Sequence, residues 1–277
     1  FAASTTENDF ALDALVHAGA LAYTKLFDLD RASKDYESVL NRARGGLSEP
    51  AEKAAFGLVD IAYASENFPL ARTRIAAIQS MLEQHRTSNE KNIEGHLLYE
   101  QGLGLYYQGE FDSSVVLLDS VAADASSDYA NDAISLVSLI QESNTTFGRP
   151  SLTHFAAGAL AEQAHRYAQA EANYRAITDS EFNAPLADEA TLHSAAVLVE
   201  LGRPADAVSQ LDSMQIKLLA SPLLDDAAFR AAEITERDLH DNVHAQKMYE
   251  DFLERYPNSI FVNDARDRAR KLRGDAF

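Results

Sequence analysis

Small and large apolar residues recur along the chain in a fixed order. A small residue is followed four positions later by a large apolar residue, and three positions after that by another. Spacings of four and three place all three side chains on one stripe of an α-helix, and the small residue lets a neighbouring helix approach closely. The pattern occurs as Ala32/Tyr36/Val39, Ala71/Ile75/Ile78, Ser114/Leu118/Val121, Ala170/Tyr174/Ile177, Ala207/Leu211/Met214 and Ala245/Tyr249/Phe252.

Another small residue precedes most of these triplets by twelve positions. Short polar or glycine-containing stretches lie between the two landmarks, such as LGRPAD at 201–206 and QGEFDS at 108–113. Glycine and proline in such stretches favour turns. Each unit is therefore predicted to be a helix, a tight turn and a second helix. The preceding small residues are Ala20, Gly102, Gly158 and Ala195, with Val59 and Glu233 as the exceptions.

One interval between units is longer than the others, since 56 residues separate Ser114 from Ala170. The stretch 128–143 carries an apolar stripe that predicts an unpaired helix in this interval. The following stretch NTTFGRP, 144–150, is the best internal boundary.

The segment after the sixth unit, 259–275, combines one apolar face with a surface rich in arginine. Such a half-polar helix is typical of the element that covers the open end of a repeat stack. We expect two stacks in one continuous solenoid. The first is three units plus one extra helix over 1–143, and the second is three units plus a capping helix over 150–277.

The stretch YEDFLERYPNSIF, 249–261, resembles the tetratricopeptide repeat (TPR) family. Ala245, Tyr249, Phe252 and Pro257 fall where that family places Ala, Phe, Ala and Pro, although Phe252 is larger than usual and the family's Trp is absent. The resemblance covers nearly the whole chain. It implies an all-α fold, namely a right-handed α-α solenoid of TPR-like helix pairs with an extra central helix and a C-terminal capping helix.

The same stretch of sequence is similar to the tandem helical repeats of bacterial envelope proteins. That similarity implies a non-enzymatic adaptor that binds a protein or peptide, with the periplasm or cell envelope favoured over the cytoplasm. The chain begins at Phe1 rather than Met, so we expect a fragment or a processed product.

Composition narrows the range of partners. The net charge of −19 makes nucleic acid a poor partner, because phosphate binding needs clustered Lys and Arg. No apolar run is long enough to span a membrane. With no Cys, the chain has no disulfide and no thiol nucleophile.

The sequence contains none of the usual catalytic or nucleotide-binding motifs. G-x-x-x-x-G-K-[ST], G-x-G-x-x-G, H-E-x-x-H and G-x-S-x-G are all missing. His240 and His244 have a spacing that suits a metal on one continuous helix, but the repeat pattern predicts a turn near Asn242 between them. We therefore predict no enzyme activity, no cofactor and no metal site.

In TPR proteins the first helix of each unit lines the concave surface, so the resemblance implies that partners bind there. Chaperone-binding members grip a peptide carboxylate with Lys and Asn, and the matching positions here include His17, Gly57 and Glu100, so that clamp is missing. What remains is an aromatic band that suits a peptide groove. Burial of these rings as core is the alternative. The band consists of Phe56, Tyr63, Tyr99, Tyr106, Tyr107 and Phe155.

Three functions are compatible with this pattern. The first is a scaffold that binds a peptide or protein segment on its concave face. The second is a structural spacer at the C-terminal end of a longer repeat protein, without a ligand of its own. The third is a sensor domain for a small molecule held between the two stacks.

Overall fold

The computed structural model describes residues 2–44, 46–84, 89–179 and 184–274, with side chains from Phe10 onward. Contacts divide the chain into two compact units. One consists of the residues up to Thr145 together with Gln163–His165, and the other of Thr146–Glu162 and the residues from Arg166 onward.

The first unit contains three helix pairs and one further helix, and each helix packs on the next along the chain. The first helices of successive pairs also contact one another, α1 with α3 and α3 with α5. The helices are α1 (Ala2–Thr24), α2 (Leu29–Ala43), α3 (Glu49–Ala64), α4 (Phe68–Gln84), α5 (Glu90–Tyr107), α6 (Phe111–Ala122) and α7 (Ala130–Ser143).

The second unit also contains three helix pairs and a final helix. From α9 onward, consecutive helices again pack on each other. The helices are α8 (Arg149–Gln163), α9 (Tyr167–Thr178), α10 (Ala187–Glu200), α11 (Pro204–Lys217), α12 (Leu224–Arg237), α13 (Asn242–Arg255) and α14 (Val262–Arg273).

This element order confirms the predicted fold class. Over the described residues the chain forms TPR-like helix pairs, with α7 as the extra helix after the third pair and α14 as the helix after the sixth. The boundaries 1–143 and 150–277 stay predictions, as does one continuous solenoid across both halves.

The recurring triplets form the interior of these pairs. All six are buried, and Tyr174 and Tyr249 are 0% exposed. Each triplet lies on the second helix of its pair, where the spacing of four and three aligns it with the preceding helix. Burial of an aromatic side chain contributes a few kcal/mol, so the repeated stripe is the main source of cohesion within each pair.

The small residues on the first helices make these contacts possible. A Cβ added to Gly158 would lie 2.7 Å from the Tyr174 ring, and one added to Gly102 would lie 2.7 Å from Leu118. Helix axes come this close only where one side contributes no side chain. Glycine at these positions therefore serves packing.

Glycine also serves the turns within two of the pairs. Gly109 lies between α5 and α6 with φ +78°, and Gly202 lies between α10 and α11 with φ +70°. Residues with a Cβ rarely adopt this left-handed conformation. Pro204 then occupies the start of α11, where its missing N–H has no helical partner to lose.

The last helix covers the sixth pair, as predicted for the capping segment. The Phe261 ring stacks on Phe229 with a centroid distance of 4.8 Å. The Arg268 guanidinium donates hydrogen bonds to Glu233 at 2.7 Å and to Glu236 at 2.8 Å. An arginine that bridges two carboxylates of α12 holds α14 by charge as well as by apolar contact.

We expect Gly158→Ala to lower the free energy of unfolding by about 1–3 kcal/mol, because the new methyl group would overlap the Tyr174 ring. Chemical denaturation of the full chain measures this cost. The control is the same substitution in a Tyr174→Leu background, where the ring is gone. A cost that is equal in both backgrounds would show that the close contact is not its cause.

Candidate functional site

The structure buries four of the six aromatic side chains of the predicted binding band. Phe56, Tyr63, Tyr106 and Phe155 are 4, 2, 2 and 5% exposed. These four side chains are part of the core and do not line a groove. The cause on α3 is crowding, because this helix contacts α1, α2, α4 and α5 and has few free sides.

Tyr99 and Tyr107 are the two members of the band that remain half-buried, and both lie on α5. Tyr107 packs edge-on against Tyr63 at 5.8 Å. Phe155 belongs to the second unit, where it packs against Tyr174 at 5.5 Å and His193 at 5.2 Å. The half-buried rings of the band therefore both lie on one first helix of the first unit, α5.

His96 lies next to these tyrosines, between two aromatic rings. Its imidazole stacks on Phe56 at 3.4 Å and on Tyr129 at 3.9 Å. Burial lowers the pKa of His96 to about 4, although the nearby Glu52 opposes this shift. The ring is therefore neutral at physiological pH and provides no positive charge.

Glu100 is the most unusual side chain in this region. It is 5% exposed, and its Oε1 lies 3.5 Å from His96 Nε2. Its other oxygen, Oε2, is buried without a hydrogen-bond partner. Burial raises the pKa of Glu100 to about 8. A buried carboxyl that lacks a partner costs stability, so its presence calls for a functional explanation.

A second carboxyl, Asp60 on α3, lies close to Glu100. Burial and the charge of Glu100 both raise the pKa of Asp60 well above its usual range. Burial and the charges of Asp132, Glu100 and Asp60 raise the pKa of Tyr99 to about 12. The same two carboxyls raise the pKa of Tyr63 and Tyr107, again after burial as the largest cause. We call Asp60, Tyr63, Tyr99, Glu100 and Tyr107 the acid–aromatic cluster.

Tyr63 fixes the two sides of the cluster against each other. Its hydroxyl donates a hydrogen bond of 2.6 Å to the backbone oxygen of Glu100. A Cβ added to Gly104 would lie 2.5 Å from that hydroxyl, so α5 needs glycine at this point. The contact sets α3 and α5 in a fixed register, and both acids lie on rigid helices.

Sequence reasoning did not single out Glu100 as a functional residue, although a signal for it exists. Ile93, Leu97, Glu100 and Gly104 are spaced as one helical stripe, and all four are buried. An acid within an otherwise apolar or small-residue stripe is the pattern that would have identified it.

Two glutamates of the second unit, Glu162 and Glu236, each have two partners. Each glutamate contacts a tyrosine from the second helix of its own pair. It also contacts a base from the next helix pair or from α14. Although burial opposes it, these contacts lower the pKa of Glu162 and of Glu236. Each set links one helix pair to the next pair or to α14. The two sets are Tyr174–Glu162–His193 and Tyr249–Glu236–Arg268.

The predicted break between His240 and His244 is present. His240 lies in the turn after α12, and His244 lies in the first turn of α13. Among the residues that the structure describes, no group of His, Asp or Glu side chains is arranged to hold a metal ion.

Comparisons with known proteins give matches among solved structures, at low sequence identity in the example that follows. No protein-family model and no curated protein matches the chain. A solved structure titled "Functional Characterization of Pseudomonas Aeruginosa pilF" aligns with 98% of this chain and 100% of its own, at 16% identity and a TM-score of 0.35. Likeness at this level supports no assignment, and the fold rests on the helices described above.

Among the described residues, no helix has both the length and the apolar character needed to cross a membrane.

We expect Tyr106→Ser to destabilise the chain by about 3–5 kcal/mol, because this ring is 2% exposed and its removal leaves a cavity. Tyr99→Ser is the matched control on the same helix, and its half-buried ring predicts a clearly smaller loss. Thermal and chemical unfolding measure both. Equal losses would contradict the assignment of Tyr106 to the core and of Tyr99 to the surface.

We expect Glu100→Gln to stabilise the chain at pH 8.5 by roughly 4 kcal/mol, and to change stability little near pH 4.5. In the unfolded chain Glu100 ionises near pH 4.5, and in the folded chain near pH 8. The parent therefore loses stability as the pH rises between these values, and the variant does not. Unfolding of parent and variant across this range measures the difference.

The control for this pH dependence is Glu94→Gln, which alters an exposed glutamate of the same helix. Its effect should not change with pH. A Glu100→Gln effect that is equally independent of pH would show that Glu100 is ionised normally in the folded chain.

Proposed function

We propose that this protein is a non-enzymatic scaffold that binds a segment of another protein on the first-helix face of its first unit. Stacked helix pairs present extended surfaces that are well suited to protein partners. The observation that carries the proposal is the acid–aromatic cluster, where Oε2 of Glu100 is buried without a hydrogen-bond partner beside the half-buried rings of Tyr99 and Tyr107.

The half-buried tyrosines supply the contact area. Tyrosine is enriched among the residues that dominate binding energy, because a rigid ring covers much surface and its hydroxyl still forms hydrogen bonds. Tyr99 and Tyr107 lie on one helix, and Tyr107 packs against the fixed ring of Tyr63. A partner would meet a preformed surface, which lowers the entropic cost of association.

The cost of Glu100 argues against a spacer. A spacer needs only cohesive packing between repeats, and an apolar or hydrogen-bonded residue at this position would serve that purpose better. Strongly shifted titration in a partly accessible region is typical of functional sites. A location in the cell envelope remains an expectation from the resemblance to envelope repeat proteins.

Selection of random peptides displayed on phage, with the full chain as target, tests the proposal. We expect enriched peptides whose binding is at least tenfold weaker to a Tyr99→Ser/Tyr107→Ser variant. The matched control is Val116→Ser, which changes a side chain of α6 that is 68% exposed. This control should leave binding unchanged, and thermal melting checks that both variants are folded.

Two outcomes would contradict the proposal. One is a failure to enrich any peptide over an unrelated helical protein. The other is enrichment of peptides that bind both variants as well as the parent. Either result would favour the structural spacer.

A further inference from the structure

We propose that Asp60 and Glu100 form an anchoring pocket for one basic side chain, arginine or lysine, of the protein partner. This inference rests on the proposed function and specifies the chemistry of its partner. The occupant would place its cationic group between the two carboxyls and its aliphatic stem against the tyrosines of the acid–aromatic cluster.

The unsatisfied oxygen of Glu100 is the first observation. Glu100 is 5% exposed, and its Oε2 has no hydrogen-bond partner. Its Oε1 lies 3.5 Å from Nε2 of His96, whose imidazole is neutral. Buried carboxylates in folded proteins are normally paired or hydrogen-bonded. A donor from outside the chain would complete this site.

The second observation is that the two carboxyls act on each other. Burial raises the pKa of both Asp60 and Glu100, and the charge of Glu100 raises the pKa of Asp60 further. Arg72, on α4, acts on Tyr63 and on neither carboxyl. The positive charge of a basic side chain would favour the ionised form of both carboxyls, and the carboxylates would in turn favour the charged form of that side chain.

The tyrosines supply the third observation. The charge of Glu100 reaches Tyr63, Tyr99 and Tyr107, as well as Tyr129 at the start of α7. Aromatic faces attract ammonium and guanidinium groups, and the attraction grows where water is excluded. Carboxyls with surrounding tyrosines are therefore suited to an organic cation, and poorly suited to an anion or a purely apolar group.

The charge of the whole chain favours the same occupant. With a net charge of −19, the protein attracts basic segments and repels acidic ones before contact. Arginine and lysine side chains of a protein are long enough to place a cation at a buried carboxyl while the partner's backbone stays at the surface.

Binding of a cation should release protons, so the affinity should rise with pH. Glu100 ionises near pH 8 in the free protein, and a cation binds its charged form. The pKa of Asp60 and of Glu52 is also raised by burial, whereas His96 ionises near pH 4, outside the range of interest. The other groups that act on the cluster from the packed helices are Tyr23, Tyr36, Tyr63, Arg72, Tyr99, Tyr107, Tyr129 and Asp132.

The test uses two displayed peptide libraries that differ only in whether Arg and Lys are allowed, each selected on the full chain. We expect binders from the library with basic residues and none from the library without them. The tightest binder is then synthesised with each basic residue replaced in turn by a neutral analogue, citrulline for arginine or norleucine for lysine. One replacement should weaken binding at least tenfold.

The protein side of the test compares Glu100→Gln with Glu94→Gln, the exposed control on the same helix. Glu100→Gln should weaken the selected peptide at least tenfold, and Glu94→Gln should not. The affinity of the parent should rise on the order of tenfold between pH 6.5 and pH 8.5, and this rise should vanish in Glu100→Gln. If Glu100→Gln does not fold, Asp60→Asn and the neutral peptides give the same comparison.

Three outcomes would overturn the inference. Peptides without Arg or Lys that need Tyr99 and Tyr107 but tolerate Glu100→Gln would refute the pocket and leave the scaffold function standing. Failure of both libraries would refute the scaffold function together with the pocket. Butylguanidinium or butylamine binding as tightly as the peptide would identify a small-molecule site instead of a protein anchor.

Discussion

The close contact between a small residue of one helix and a large side chain of the next is the constraint on which the structure depends. Tyr174 is fully buried because Gly158 leaves space for its ring, and Gly19 and Gly57 both leave space for Tyr36. Where two helices can approach this closely, large side chains of the second helix pack against the first, and the pair becomes cohesive. Repetition of this contact builds both units.

The same constraint determines where function can lie. Second helices use their apolar stripe for cohesion, so a binding surface must come from other faces. On α3 the contacts with four neighbouring helices leave little surface, whereas α5 keeps Tyr99 and Tyr107 partly accessible. Glu162 and Glu236 of the second unit each contact a base and a tyrosine hydroxyl, whereas Oε2 of Glu100 is buried without a hydrogen-bond partner. This buried oxygen among tyrosines distinguishes this part of the first unit from a purely structural repeat.

The sequence predicted the helix pairs, the extra helix α7 and the final helix α14, because these follow from local spacing that needs no knowledge of distant contacts. For Phe56, Tyr63, Tyr106 and Phe155 it left a groove and the core as alternatives, and the structure buries all four rings. A position that faces a groove in a short repeat is covered when longer helices bring more neighbours to it. The orphaned oxygen of Glu100 was also beyond the sequence, because a missing partner is a property of the surrounding helices.

The sequence by itself determined the all-α architecture and the acidic surface, since periodicity and composition act within one helix or over the whole chain. Only the tertiary structure decided which aromatic rings are core and which remain accessible. It alone brought Asp60 of α3 next to Glu100 of α5, forty residues later in the chain. The reason is physical: burial and electrostatic coupling depend on the distance between helices, and helix packing sets that distance.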